Sequence, residues 1–171
     1  MKSATLKLTF VLALIGLWSA ALPPSWAADD AAALAAALKD ATATLQGGLK
    51  ASEREGTPIS GKFEIEDGKL QLSVYTLKDD NFIEVAADPK TGTIGEAEKI
   101  KDAEDLKAAT AQKAAMAKAK VPLITATETA VKANPGFRAV SIYPQLQSGQ
   151  AVAEVTLLQG TVLKKVTEKL D

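Results

Sequence analysis

The stretch 63-FEIEDGKLQLSVY-75 decides the fold. Phe63 and Ile65 alternate with Glu64 and Glu66, Asp67-Gly68 interrupts, and Leu70, Leu72 and Val74 then alternate with Gln71, Ser73 and Tyr75. Successive side chains of a strand face opposite sides, so this period of two predicts a pair of antiparallel strands, with the glycine supplying the turn. One face of the hairpin is apolar and needs a covering layer.

Downstream, Lys78 to Asn81 reads as a second turn, Phe82 to Ala87 as a third strand, and Asp88-Pro89-Lys90-Thr91-Gly92 as a turn before a short extended piece, Thr93 to Ala97. Upstream, Leu34, Leu38, Leu45 and Leu49, with Ala41 between them, fall on one helical stripe and predict a single helix over 30–52. Asp29 and Asp30 suit its positive end, and Glu55-Gly56-Thr57-Pro58 stops it. A helix followed by an antiparallel meander is the expected unit.

The same order recurs in the second half. A helix is expected over 102–118, rich in Ala and Lys, and Val121-Pro122 breaks it. Thr125-x-x-Glu128 resembles a capping box that would start another helix, ended by Pro135-Gly136. Strands follow around Val140 and Ile142, over Ala151 to Leu158 and over Val162 to Val166, with turns at Ser148-Gly149 and Gln159-Gly160. Superposing Gly68 on Gly149 also superposes Val74 on Val155, which predicts an internal repeat.

Ahead of both halves, Lys2 and Lys7 precede an apolar run, Leu8 to Leu22, that Pro23-Pro24 ends. The run is shorter than the roughly 20 residues a membrane-crossing helix needs. With small residues at Ser25 and Ala27, it reads as a secretory signal cut between Ala27 and Ala28, leaving no stable membrane anchor and a periplasmic or secreted protein of the bacterial envelope. Losing Lys2 and Lys7 from 20 basic residues leaves 18 against 21 acidic ones, a net charge of −3. Lysines alternate with acids along the remaining 144 residues, so no face is set up to neutralise a nucleic-acid backbone. Cysteine and histidine are absent, which removes disulfides, thiolate and imidazole metal ligands, and the side chain that titrates near neutrality. Both tryptophans lie in the signal, so the core is expected to be aliphatic.

These residues resemble the PepSY family: a helix, a glycine exit and a three-stranded meander that often finishes in Asp-x-x-Thr-Gly. Asp88, Thr91 and Gly92 carry that ending in the first half, and Ile124-Thr125, Glu128, Ala133 and Pro135-Gly136 match the helix and its exit in the second. The second half departs at its end, where Glu168 and Asp171 stand in place of the turn. The resemblance implies an α+β chain of two PepSY-like modules, each a helix packed on a small antiparallel meander, at 28–100 and 121–171, with a connecting helix over 101–120. It implies protein binding rather than chemistry: a peptidase-regulating, inhibitor-like partner of an envelope protein, a peptidase being the example the family suggests. A small-molecule carrier or sensor is the alternative.

Candidate chemistry reads weakly beside this. Asp88, Thr91 and Gly92 are expected as fold-determining turn residues, and Asp79-Asp80-Asn81 lacks the spacing of a calcium loop. Ser60-x-Lys62 matches no hydrolase signature and reads as an exposed strand entry, while alternation turns Glu64, Glu66, Gln71 and Ser73 to solvent. No catalytic, cofactor-binding or metal-binding residue is expected, and no partner-binding residue is marked. The lysine-rich helix 102–118 reads as a solvent-facing connector between modules, packed by small alanines.

Overall fold

The computed structural model describes residues 28–171; the expected signal, and with it Ala27, lies outside them. Ala28 is the first residue of α1 (Ala28–Ala37), which is followed by a 3-10 turn (Leu38–Asp40) and α2 (Leu45–Ser52). Then come β1 (Thr57–Glu66), β2 (Lys69–Lys78), β3 (Asn81–Ala87), β4 (Ile94–Lys99), α3 (Ala103–Met116), α4 (Leu123–Ala133), β5 (Arg138–Gln147), β6 (Gln150–Gln159) and β7 (Val162–Lys169). The chain is α+β, with all strands in one antiparallel sheet of order β4-β3-β2-β1-β5-β6-β7.

The expected hairpins form. Asp67 and Gly68 both take positive φ (49° and 74°), as do Ser148 and Gly149 (50° and 83°), so each central turn uses the left-handed region that its small or polar residues tolerate. The sheet is stitched at its middle by β1 and β5 through two residue pairs, Gly61↔Ile142 and Lys62↔Ser141.

One sheet face carries the core. Leu34 and Leu38, Leu45 and Leu49 of α2, and Leu123, Ala126 and Ala130 of α4 close over Phe63, Leu72, Val74, Val85, Ile142 and Val155 in one cluster drawn from both halves of the chain. Each such leucine contributes roughly 1.5–3 kcal/mol on burial. α2 lies so close to the sheet that a Cβ on Gly48 would stand 2.5 Å from Leu72 Cδ2, which explains a glycine inside a helix.

Three sequence expectations are corrected here. The helix over 30–52 is broken: Ala41 is extended (φ −86°, ψ 118°), and Thr44 restarts the helix by accepting the Gly47 N–H at 3.0 Å. The break is held from elsewhere, because Ala43 N–H donates to Pro89 O at 3.0 Å and the Arg138 guanidinium donates to Leu38 O (3.2 Å) and Ala43 O (2.9 Å). Thr125 and Glu128 form no capping box; α4 starts at Leu123 after Pro122, and Thr125 sits inside it, its carbonyl accepting from Thr129 Oγ1 at 2.9 Å. Pro122 fixes an extended entry three residues early, and no side chain caps the helix. α3 does pack through small alanines, Ala109 and Ala115 being buried, but it lies against the sheet, on β5, β1 and β6 across the face opposite the core cluster, and so covers residues that a solvent-facing connector leaves open.

Candidate functional site

With α1, α2 and α4 over one face, the other is roofed in part by α3 and carries the polar set. Strand alternation places Lys62 and Glu64 of β1, Ser73 and Tyr75 of β2, Glu84 of β3, Ser141 and Tyr143 of β5, Glu154 and Thr156 of β6 and Lys165 of β7 on it. One cross-strand row spans all seven strands: Glu96, Ala86, Ser73, Lys62, Ser141, Thr156, Lys165. It begins on an acid at the β4 edge and ends on a base at the β7 edge.

Lys62 is its centre. Nζ lies 2.5 Å from Glu64 Oε2 and 5.9 Å from the centroid of the Tyr75 ring, so one ammonium is shared between a carboxylate and an aromatic face. Burial raises the Glu84 carboxyl pKa above the usual range; a Ser73 hydrogen bond and Lys62 oppose the shift, and Glu64 and Glu66 add to it. Burial likewise raises the phenol pKa of Tyr75, with Glu84 and Glu64 adding to it, and that of Tyr143, with Glu64 adding to it. On the other half, Lys165 Nζ sits 2.8 Å from Glu154 Oε1, a charge contact outside hydrogen-bond alignment, and the buried Ser141 hydroxyl has no hydrogen-bond partner among the described residues. Ser73, Ser141 and Thr156 of the row are buried, so around its centre only the partly exposed Lys62, Glu64, Tyr75 and Glu84 can meet a complementary surface by ion pairs and stacking.

The two outermost strands leave their outer backbone groups without partners among the described residues. β4 exposes Gly95 to Lys99, including Glu96 and Glu98; β7 exposes Lys164, Lys165 and Lys169. A depression of about 260 Å³ opens at one end of the molecule, lined by Glu53, Gly56, Thr57, Pro58, Met116, Pro122, Leu123 and Ile124.

Several sequence-stated positions sit differently from their reading. Ser60 is no exposed strand entry: it is fully buried, and its hydroxyl donates to Gln112 Oε1 of α3 at 2.8 Å. Ser73 is likewise buried rather than solvent-facing, while Glu64 and Gln71 are half-buried and Glu66 is exposed. The cause is the same in each case, since α3 and the long side chains around Lys62 cover a face that alternation alone leaves open. Asp88, Thr91 and Gly92 do form a turn: Asp88 Oδ1 accepts the Lys90 and Thr91 N–H groups at 2.8 Å each, Gly92 takes φ 72°, and these hydrogen bonds hold the Asp88 carboxyl below its usual pKa. The turn docks on the helix break, where Thr42 Oγ1 also donates to Lys90 O. Asp79 and Asp80 take positive φ in the β2–β3 turn, and Asp80 pairs with Lys113 at 2.6 Å.

Among the described residues no group of three or more acids could hold a metal ion, and no helix is long and apolar enough to cross a membrane. No family model, no curated protein and no solved structure matches this chain.

Proposed function

We propose that the protein is an exported, non-enzymatic binding protein of the cell envelope, built from two PepSY-like units, that engages an envelope protein, with a peptidase the first class to test. Support for the duplication comes from features recurring at one offset, 81 positions. Asp67-Gly68 and Ser148-Gly149 turn alike, and the register shifts once between Pro58 and Ser60 and again between Ala139 and Ser141. Pro89 and Leu170, again 81 apart, each give a carbonyl to the loop ahead of a helix, accepting from Ala43 in one half and from Val121, 78 positions further on, in the other. The Asp-x-x-Thr-Gly ending survives in the first half alone, where it clamps the broken helix.

The observation that carries the binding reading is the partly exposed cluster of Lys62, Glu64, Tyr75 and Glu84, on a sheet whose two edge strands have no outer partner among the described residues. Such surfaces take a partner by strand addition or across the sheet face. Capture of the tagged protein from envelope extract of its own cell, followed by mass spectrometry, is expected to enrich a partner protein. That partner should be lost from a Lys62→Glu variant, which places like charges at the centre of the cluster; undiminished capture by K62E would reject the cluster as the binding surface.

The carrier reading draws on the 260 Å³ depression beside Met116 and Leu123. It ranks second because that volume lies just under the range of roughly 300–1,000 Å³ usual for ligand pockets. Native mass spectrometry showing a stoichiometric small molecule would reverse the order.

A further inference from the structure

The two outer edges of the sheet carry opposite charge on the same face. On β4 the side chains sharing the Lys62 face are Glu96 and Glu98; on β7 they are Lys165, Thr167 and Lys169. Among the described residues Glu96, Glu98 and Lys169 have no ion-pair partner. An odd number of strands, all antiparallel to their neighbours, makes β4 and β7 run in the same direction. A second copy set beside the first with its faces in continuity therefore offers β7 to β4 as a parallel pair. The seven-strand row then continues without a break, because Lys165 of one copy comes opposite Glu96 of the next, with Glu98 diagonal to it.

We propose that the occupant of these edges is a second copy of this chain, joined head to tail, β7 of one molecule on β4 of the next. The charges select this arrangement over the symmetric ones: β4 on β4 sets Glu96 and Glu98 against their own copies, and β7 on β7 sets lysines against lysines, which opposes pairing. Lysines on an edge strand ordinarily keep it solitary; here the acids on the opposite edge turn the same lysines into a complementary surface. Because the joint uses two different patches, it does not close on itself, and the product is an open series of copies rather than a fixed dimer. Parallel pairs are somewhat weaker than antiparallel ones, so the association is reversible and salt-sensitive.

Sedimentation velocity of the purified protein over a range of concentrations tests this at low and high salt. The expected result is a series of species above the monomer that grows with concentration and is lost in high salt. E96K/E98K gives the protein two basic edges, and E154Q/K165E/K169E gives it two acidic ones, the Glu154 change removing the repulsion that Lys165→Glu would otherwise create. Each variant alone should be monomeric, and mixing them should restore association. A wild-type monomer at every concentration and salt would overturn the proposal, whatever the variants do. So would a closed dimer, or association that survives in E96K/E98K alone, a variant altered at two exposed positions.

Discussion

Gly48 and Glu84 show how single residues are set by what lies across from them. Gly48 lets α2 approach Leu72, and the missing methyl group is what fixes that spacing. Gly48→Ala gains about 1 kcal/mol of helix propensity but forces the buried Leu72 or the helix to move, at about 1–3 kcal/mol. The variant should therefore melt below wild type; a higher melting temperature would mean that α2 has room to shift. Glu84 is the opposite case, a carboxyl held where its charge is disfavoured. Its folded pKa lies above the unfolded value, so the charged form costs stability at neutral pH, and that loss is recovered as pH falls through the raised pKa toward the unfolded one. Glu84→Gln should then raise the melting temperature at pH 7, with the gap closing as the solution is acidified. A gap independent of pH would remove desolvation of this carboxyl as the cause. Asp88 runs the other way, since its lowered pKa adds stability above the usual carboxylate range that is lost on acidification.

Elements were legible in the sequence where local pattern fixes them. The strands follow from alternation and from turn residues able to take positive φ, such as Asp67-Gly68, and those signals need nothing distant. The break between α1 and α2 could not be read this way, since one of its causes is a guanidinium 100 positions away donating to Leu38 O. Arg138 lies over the Phe63 ring at 5.3 Å, and burial without a carboxylate lowers its pKa, so its hydrogen bonds to Leu38 and Ala43 are what satisfy it. Arg138→Met should cost about 1–3 kcal/mol by orphaning the Ala43 carbonyl, since Leu38 O keeps the Ala41 N–H. It should also speed amide exchange at Ala43; unchanged exchange there would show that the turn at Asp88–Gly92 holds the break alone. α3 was misplaced for a different reason. Its buried residues, Ala109 and Ala115, are the same type as its exposed Ala103, Ala111 and Ala114, so it carries no clear apolar stripe to say which side faces protein. Alternation alone therefore leaves the face beneath it open, and gives no sign of the buried Ser60 and Ser73 or of the Lys62–Tyr75 contact. The one available signal was Gln112, a polar side chain on an alanine-rich helix at the position that meets Ser60.

At the scale of the whole molecule the two halves are joined twice, by backbone through the middle of the sheet and by side chains through the core. Leucines of α2 and small residues of α4 share one cluster, and Arg138 reaches from the second half into the first. Heat should therefore unfold both halves in a single transition, with the calorimetric and van't Hoff enthalpies equal; two resolved peaks would mean that each half holds its own core. The backbone joint is much narrower than the core joint, two residue pairs at Gly61–Ile142 and Lys62–Ser141 beside hairpins paired along nearly their full length. Mechanical compliance is concentrated at that seam. Under tension across the strands the sheet would part there first, as a fabric tears along its shortest row of stitches, leaving a four-stranded and a three-stranded panel whose own hairpins are still closed.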